Sequence, residues 1–259
     1  MGYQLVQLKN GSWSVRSLAE GETFHPVVGP VAEAEALYVR QLRLPERLTA
    51  HRDGEFVVWD VGLGAAANVL TVLSALRDVP GRVRVVSFDH TLEPLRFALH
   101  HAETLGYFSG HEELVAALLA ETRAEAVNGL GTVKWEVHTG DFPTLLASPA
   151  SDAWPKPHAI LFDAYSPAKN PAMWTLPLFR RIHARLDPSR PCALATYSRA
   201  TLLRVTLLLA GWSVGAGSAT GEKEETTLAA NTPGLLVAPL DRAWLGRALR
   251  STSAEPMTE

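Results

Sequence analysis

The sequence predicts an α/β fold, and three observations carry that prediction. Short apolar runs typical of buried strands alternate with longer segments that have helical periodicity. A glycine turn at Gly62 and Gly64 interrupts the pattern directly after one such run. Acidic residues stand at or just beyond the ends of several runs, where open α/β sheets bind their ligands. With 259 residues, the chain can bury a substantial core in one large domain.

Three regions are predicted along the chain. Residues 1–50 form an extension, because the α/β pattern starts only after them. Residues 51–250 form the α/β domain, and residues 251–259 form a flexible tail.

The extension is predicted to contain a hairpin, a loop and a helix. Asn10-Gly11 is typical of a two-residue hairpin turn, which needs φ above zero at both positions, and it separates predicted strands at 4–8 and 13–15. A helix is predicted over 31–44, ending at Pro45. Composition alone places three polar residues of this region at the surface: Glu22, His25 and Glu33.

The α/β domain is predicted to alternate strands and helices in a mixed sheet. The predicted strands are residues 56–61, 83–88, 132–138, 159–162, 192–197, 212–214 and 226–230, with a short edge at 235–238. The predicted helices are the segment from the glycine turn to Leu76 and residues 91–105, 112–127, 143–146, 177–186, 199–210 and 241–250.

Three acids at strand ends indicate a nucleoside pocket. Asp60 lies beside the glycine turn, and Asp89 follows the next strand, roughly 25 residues past that turn, near the spacing at which a carboxylate binds ribose hydroxyls. Asp141 follows the strand at 132–138. It either caps the next short helix or contacts the base of a bound nucleoside.

A fourth acid, Asp163, begins the segment around which the chain is organised. It directly follows the apolar strand 159–162, and Pro167 and Pro171 then keep the chain out of a regular helix. This pattern indicates the rim of an active site at the carboxyl end of a strand. The alternative is an ordinary loop whose aspartate caps the following helix.

Several enzyme classes are disfavoured because the sequence lacks their motifs. No phosphate-binding loop, serine-nucleophile elbow or metal-ligand spacing is present, so no metal site is predicted. Ala67 occupies the third position of a Gly-x-Gly-x-x-Ala sequence, which does occur in dinucleotide folds, so a dehydrogenase stays open. A Rossmann-like pocket for S-adenosylmethionine, a nucleoside cofactor with a transferable group, fits these observations best.

Composition predicts a soluble cytoplasmic protein. The formal net charge of −3 gives no global positive field of the kind that attracts nucleic acid. Cys192 is the only cysteine, which excludes an internal disulfide and fits a reducing compartment. The sequence shows no signal-peptide pattern and no apolar run long enough for a membrane span.

The segment between Tyr165 and Gly215 departs from the overall charge. Its seven cations face one acid, Asp187, which gives +6 in a chain of net −3. A basic face there would suit a polyanionic substrate, and solvated arginines spread over several surfaces would give the same composition. The cations are Lys169, Arg180, Arg181, Arg185, Arg190, Arg199 and Arg204.

The segment Asp163-Ala-Tyr-Ser-Pro-Ala-Lys-Asn-Pro-Ala-Met-Trp174 resembles the Asp-Gly-Phe-Ala-Pro-Ala-Lys-Asn-Pro-x-Met-Trp signature of the bacterial tRNA wobble-uridine methyltransferases, which methylate the aminomethyl group of modified uridine. Gly62-Leu63-Gly64 with Asn68 resembles their Gly-Phe-Gly-Thr-Gly-x-Asn loop. Gly21-Glu22-Thr23-Phe24-His25, with Gly29 and Glu33, resembles the leading segment of the family's single-domain members. Gly221-x-Lys223-x-Glu225 resembles a late Gly-x-Lys-Arg-Glu motif.

The resemblance implies a class I S-adenosylmethionine-dependent methyltransferase fold, S-adenosylmethionine as cofactor and tRNA as substrate. Asp163 and Tyr165 would be catalytic. The implied cofactor contacts are Asp60, Gly62, Gly64, Asn68, Asp89, Asp141 and Asp163. The implied substrate contacts are Glu22, His25, Glu33, Lys169, Asn170, Trp174, Arg199 and Lys223.

Four departures from the family pattern bear on cofactor and substrate binding. Ala65 and Ala66 replace Thr and Gly in the cofactor loop, and Ala66 is expected to hinder a turn that needs positive φ. Ala164 replaces a glycine, and Glu224 stands where the late motif has Arg. Three alternatives follow: methylation of another amine, aminopropyl transfer on the same fold, and a non-catalytic protein that binds S-adenosylmethionine or RNA.

Overall fold

A computed structural model describes residues 2–220 and 224–258. It contains a two-stranded hairpin and one nine-stranded sheet. The strands are β1 (Tyr3–Gln7), β2 (Trp13–Ser17), β3 (Phe56–Val61), β4 (Arg82–Asp89), β5 (Arg123–Asn128), β6 (Gly131–Thr139), β7 (Ala159–Phe162), β8 (Ala193–Thr196), β9 (Ser213–Gly217), β10 (Thr226–Ala230) and β11 (Ala238–Pro239).

Helices connect these strands. The α-helices are α1 (Pro30–Ala34), α2 (Leu44–Ala50), α3 (Ala67–Ala75), α4 (Glu93–His100), α5 (Ala102–Leu105), α6 (Glu112–Glu121), α7 (Phe142–Ala147), α8 (Leu176–Arg185), α9 (Thr201–Leu209) and α10 (Arg242–Ala248). A π-helix covers Glu35–Arg40, and 3₁₀ turns cover Pro149–Ala153, Pro171–Trp174 and Pro233–Leu235.

The large sheet has the order β11-β9-β10-β8-β7-β3-β4-β6-β5. Its five central strands, from β8 to β6 in that order, are parallel, and the flanking strands pair antiparallel. From β3 the chain moves outward through β4 and β6, and it then returns to place β7 on the other side of β3. This reversal creates a switch point between β3 and β7, where open α/β sheets bind ligands at the carboxyl ends of the strands.

Both faces of the sheet are covered. Every residue of β3, β7 and β8 is buried, which explains why these strands are nearly continuous apolar runs. One core cluster includes Val58 of β3 and packs against α1, the π-helix and α3. The other includes Trp59 and packs against α8 and α9. The expected α/β architecture with a mixed sheet and an N-terminal hairpin is therefore confirmed.

Four local predictions need correction, and the first concerns β5. The helix predicted over 112–127 ends at Glu121, because Thr122 takes a left-handed φ of 60°. Residues 123–128 then form an edge strand against β6. Its alternation of charged exposed residues with half-buried alanines fits a strand that has one solvated face.

The extension and the segment after β4 supply three more corrections. The hairpin loop has one left-handed residue, Gly11, and its turn runs from Leu8 to Gly11, so it is longer than the predicted two-residue turn. The helix predicted over 31–44 is α1 followed by the π-helix, and a left-handed Arg43 separates it from α2, which holds Pro45 in its first turn. The predicted helix 91–105 is divided into α4 and α5 at His101.

The C-terminal segment is partly anchored. The backbone N–H of Leu176 donates to the carbonyl oxygen of Met257, and the N–H of Met257 donates to Thr206 Oγ1 at 3.1 Å. This portion of the predicted flexible tail therefore packs on the domain. None of the helices formed by the described residues has the length and apolar character needed to span a bilayer.

Candidate active site

A cavity of about 940 Å³ opens at the carboxyl ends of β3, β4, β6 and β7. This is the switch point of the sheet, and the volume lies within the usual range for small-molecule sites. The loop after β2 and the start of α1 close one side of it. The structure brings twelve of the predicted site residues to its walls: Glu22, His25, Glu33, Gly62, Gly64, Asn68, Asp89, Asp141, Asp163, Tyr165, Lys169 and Asn170.

The glycine loop forms the floor of the cavity. Gly62 has φ 99°, and a Cβ atom there would lie 2.5 Å from the carbonyl oxygen of Asp163. The N–H of Gly64 donates to Asp89 Oδ2 at 2.8 Å, so the acid at the end of β4 is tied to the loop. Burial raises the pKa of Asp89, and this hydrogen bond opposes that rise.

Ala66 adopts the left-handed conformation that its side chain disfavours. Its φ and ψ are 62° and 13°, and it is the N-cap residue of α3. The conformation costs roughly 1–2 kcal/mol for a residue with a Cβ. The loop therefore forms its turn despite the alanine. The unfavourable conformation of Ala66 lowers the stability of the folded protein but does not change the backbone path of the loop.

Asp163 faces the cavity and does not cap a helix. Its backbone N–H donates to the carbonyl oxygen of Val61, which fixes the start of the segment beside β3. Its Oδ2 accepts a hydrogen bond from Asn68 Nδ2 at 2.7 Å and lies 3.8 Å from His25 Nε2. The helix-cap alternative is wrong, because Thr175 caps α8.

Asp141, in contrast, does cap a helix. Its Oδ2 accepts hydrogen bonds from the backbone N–H and the hydroxyl of Thr144, at the start of α7. It also lines the cavity, so the capping role and a role at the cavity wall coexist.

The N-terminal extension supplies a wall of the cavity. Glu22 accepts a hydrogen bond from Ser166 Oγ at 2.9 Å, which joins the extension to the segment after β7. The ring of Phe24 lies 6.0 Å from that of Tyr165. The three polar residues expected at the surface, Glu22, His25 and Glu33, are therefore cavity residues, as the family motif implied.

Three predicted residues lie outside the cavity wall. Asp60 is fully buried within β3, where its Oδ2 accepts a hydrogen bond from Ser87 Oγ at 2.7 Å. Trp174 is also buried, and its Nε1 donates to the carbonyl oxygen of Tyr165 at 2.8 Å. Arg199 is exposed and pairs with Glu224. A further predicted contact, Lys223, lies outside the described residues.

Tyr197 is a cavity residue that the motifs did not indicate. Its hydroxyl donates to the carbonyl oxygen of Ala164 at 3.0 Å, and its ring lies 5.8 Å from that of Trp174. Burial and the nearby carboxylate of Asp163 raise its pKa, which keeps the hydroxyl protonated. Its position directly after β8 was an available signal, because polar residues at strand ends meet at this edge.

The cavity wall is acidic, and ion pairs of four arginines favour the alternative in which the cations between Tyr165 and Gly215 are spread over several surfaces. Arg185, Arg190, Arg199 and Arg204 each pair with an acid. One lysine among the described residues lines the cavity, Lys169, against six acids. The acids are Glu20, Glu22, Glu33, Asp89, Asp141 and Asp163. Such a cavity suits a cationic ligand.

The comparisons with known proteins point to one enzyme class. A family model described as S-adenosyl-L-methionine-dependent methyltransferase matches residues 109–232. The tRNA 5-methylaminomethyl-2-thiouridine biosynthesis bifunctional protein MnmC of Burkholderia vietnamiensis is 30% identical over 206 residues, which cover 74% of this chain and 30% of that protein. The MnmC of Aeromonas hydrophila is 30% identical over 221 residues, 79% of this chain and 32% of that protein. The chain thus spans about a third of the length of these relatives.

The crystal structure of MNMC2 from Aquifex aeolicus matches all of this chain and 79% of its own, with 25% identity and a TM-score of 0.77. The chain is an MnmC-like S-adenosyl-L-methionine-dependent methyltransferase. A probable spermidine synthase from Corynebacterium glutamicum, 13% identical with a TM-score of 0.52 over 99% of this chain and 92% of its own, shares the fold of this methyltransferase.

The cavity of this MnmC-like methyltransferase fits its cofactor. Gly62, Gly64 and Asp89 line the cavity, and the cavity acids complement a positively charged sulfonium. Gly62, Gly64 and Asp89 are the residues that would hold the nucleoside. Among the described residues, no group of three His, Cys, Asp or Glu side chains could hold a metal ion.

Proposed function

We propose that this methyltransferase methylates the aminomethyl nitrogen of a modified wobble uridine in tRNA. The observation that carries the proposal is the acid-lined cavity in which Asp163 lies beside Asn68 and His25. An aminomethyl group is an alkylammonium at neutral pH, and carboxylates are its natural partners. The similarity to the MnmC proteins, whose name specifies tRNA 5-methylaminomethyl-2-thiouridine biosynthesis, supports tRNA as the source of that amine.

The roles of the residues follow from their places in the cavity. S-adenosyl-L-methionine supplies an electrophilic methyl group when it is bound. Gly62 and Gly64 line the part of the cavity assigned to the cofactor, Asp89 binds the ribose hydroxyls, and Asp141 contacts the adenine side. Asn68 holds the carboxylate of Asp163 in place through their 2.7 Å hydrogen bond.

The acceptor side is assigned to the segment after β7 and to the extension. Asp163 binds and orients the acceptor ammonium, and Tyr165 packs on the acceptor base. Glu22, Lys169 and Asn170 complete the acceptor wall. Trp174 acts indirectly, because its indole fixes the backbone at Tyr165. Residues 1–50 are thus proposed to complete the site of the 51–250 domain.

A phosphate contact by Arg199 has less support, because Glu224 pairs with it. The same pair and the acidic cavity favour a second candidate, methylation of a small free amine. A tRNA substrate would place the enzyme in the cytoplasm.

The test is methyl transfer from labelled S-adenosyl-L-methionine to two tRNA pools, one carrying aminomethyl-uridine and one lacking it. We expect label only in the first pool, and less label with the Asp163→Asn protein at equal cofactor binding. A parallel reaction with free diamines tests the second candidate. Label in the diamine and in neither tRNA pool would replace the tRNA proposal with that candidate.

A further inference from the structure

A tyrosine from outside the glycine loop holds the second half of that loop. The hydroxyl of Tyr107 donates to the carbonyl oxygen of Ala65 at 3.0 Å, although the two residues are 42 positions apart in the chain. Ala65 lines the cavity, and Tyr107 is buried, with 4% of its surface exposed. Burial raises the pKa of Tyr107, which keeps its hydroxyl protonated and therefore able to donate.

The peptide that accepts this hydrogen bond adjoins the strained residue of the loop. Ala66 has φ 62°, where a residue with a Cβ is disfavoured and the glycine of the family pattern would not be. Rotation of the planar peptide between Ala65 and Ala66 changes ψ of the first and φ of the second together. That rotation would relieve the strain, and it would also turn the Ala65 carbonyl oxygen away from Tyr107. The hydrogen bond therefore opposes the motion that the strain favours.

The first half of the loop is anchored differently. The N–H of Gly62 donates to the carbonyl oxygen of Phe88 at 3.0 Å, and the N–H of Gly64 donates to Asp89 Oδ2 at 2.8 Å. Both partners belong to β4. The N–H of Ala66 donates to a carbonyl oxygen within the loop itself, so this bond does not join the second half to the rest of the domain. The tyrosine hydroxyl provides such a connection.

Tyr107 is itself held in a well-packed turn. Gly106 ends α5 with φ 74°, and the Tyr107 ring stacks on that of Phe108, with centroids 5.2 Å apart. The N–H of His111 donates to the carbonyl oxygen of Phe108 at 2.9 Å. The His111 ring lies 3.1 Å from the side chain of Asn128, which donates to a carbonyl oxygen of α3 at 2.8 Å. The turn is thus tied to the helix that starts from the loop, so the tyrosine is a fixed anchor.

We propose that Tyr107 is a positioning residue for cofactor binding, which holds the peptide between Ala65 and Ala66 in its observed orientation against the strain at Ala66. The inference rests on the assignment of the glycine loop to S-adenosyl-L-methionine and does not depend on the methyl acceptor. If the peptide rotates in a fraction of the molecules, the apparent affinity falls with the fraction that stays competent. Tyr107 therefore compensates for the alanine that this chain has in place of a glycine.

The test is Tyr107→Phe, which removes the hydroxyl and keeps the ring. Calorimetry of the full chain with S-adenosyl-L-methionine should show a Kd about 5- to 10-fold higher, as expected for the loss of one hydrogen bond. In an Ala66→Gly background the same substitution should raise the Kd less than about 2-fold, because glycine keeps the left-handed φ without strain. This dependence on the background is a coupling that a merely structural tyrosine would not show.

A matched control separates this effect from a general loss of stability. Thr206→Val removes a buried hydroxyl of α9 that donates to the carbonyl oxygen of Leu202 at 2.7 Å and accepts from the N–H of Met257. We expect a lower Tm and an unchanged Kd for S-adenosyl-L-methionine. Tyr107→Phe should lower the Tm in both backgrounds and raise the Kd substantially in only one of them.

Three outcomes would overturn the inference. One is an unchanged Kd in Tyr107→Phe, and another is the same increase in Kd with Ala66 and with Gly at that position. The third is weaker cofactor binding by Ala66→Gly alone, which would show that the observed turn gains nothing from relief of the strain. If Tyr107→Phe fails to fold, the double variant decides: a Kd more than about 5-fold above that of Ala66→Gly would overturn the inference.

Discussion

Replacing Asp60 with asparagine is expected to remove a pH-dependent loss of stability. Asp60 is fully buried in β3, and Ser87 Oγ donates to its Oδ2. Within residues 2–220 and 224–258, its Oδ1 has no hydrogen-bond partner. Burial raises the pKa of Asp60 from 3.8 to about 7, and the charges of Asp163 and Asp89 add to the rise.

The size of the effect follows from the two pKa values. Between pH 3.8 and about 7, the folded protein keeps the proton on Asp60, while the unfolded chain has lost it. Stability therefore falls as pH rises through this window, by about 1.4 kcal/mol per pH unit. The total decrease in the free energy of unfolding is about 4 kcal/mol as an upper limit, and it is complete above pH 7.

Asparagine is a neutral analogue of the protonated acid, so it avoids this loss. The difference in the free energy of unfolding between Asp60→Asn and the unaltered protein should be small near pH 4 and should reach about 2–4 kcal/mol in favour of the variant near pH 8. Urea denaturation at each pH measures it, with the exposed Asp53→Asn as control. A difference that stays constant with pH, or favours the unaltered protein at high pH, would show that burial does not keep Asp60 protonated in the folded protein.

Three further predictions concern the cavity. Ala66→Gly should raise the free energy of unfolding by about 1 kcal/mol in urea denaturation, because glycine adopts φ 62° freely, and a loss of stability would contradict this. Gly62→Ala should lower both Tm and S-adenosyl-L-methionine affinity, because its Cβ would meet the Asp163 carbonyl oxygen; calorimetry showing normal binding would count against it. Asp163→Asn should slow single-turnover methyl transfer about 100-fold while cofactor affinity stays within a few-fold, and retained turnover would reject its assigned role.

Strong local patterns made much of the fold predictable from the sequence. The bounds of β3 and β7 agree with their apolar runs, because strands buried on both faces consist almost entirely of apolar residues. The sequence predicted that acids at strand ends meet at one site, since parallel strands end at a common edge. Asp89, Asp141 and Asp163 do line one cavity.

Features set by tertiary contacts were not predictable. Residues 123–127 satisfy helical and strand periodicity alike, and pairing with β6 decides between them. Asp60 lies at the end of an apolar run, as Asp89 does, but strand alternation points its side chain into the core beside Val58. The left-handed φ of His25 follows the backbone hydrogen bond of Phe24 to Val15 of the hairpin, a contact that the local sequence does not indicate.

Nucleoside mass spectrometry of the labelled tRNA shows whether the acceptor atom is an amine nitrogen. We expect one added methyl group on the aminomethyl side chain of the wobble uridine, and none when the tRNA amines are acylated beforehand. Label on a ring atom or a ribose hydroxyl, or label that survives acylation, would rule out an amine acceptor.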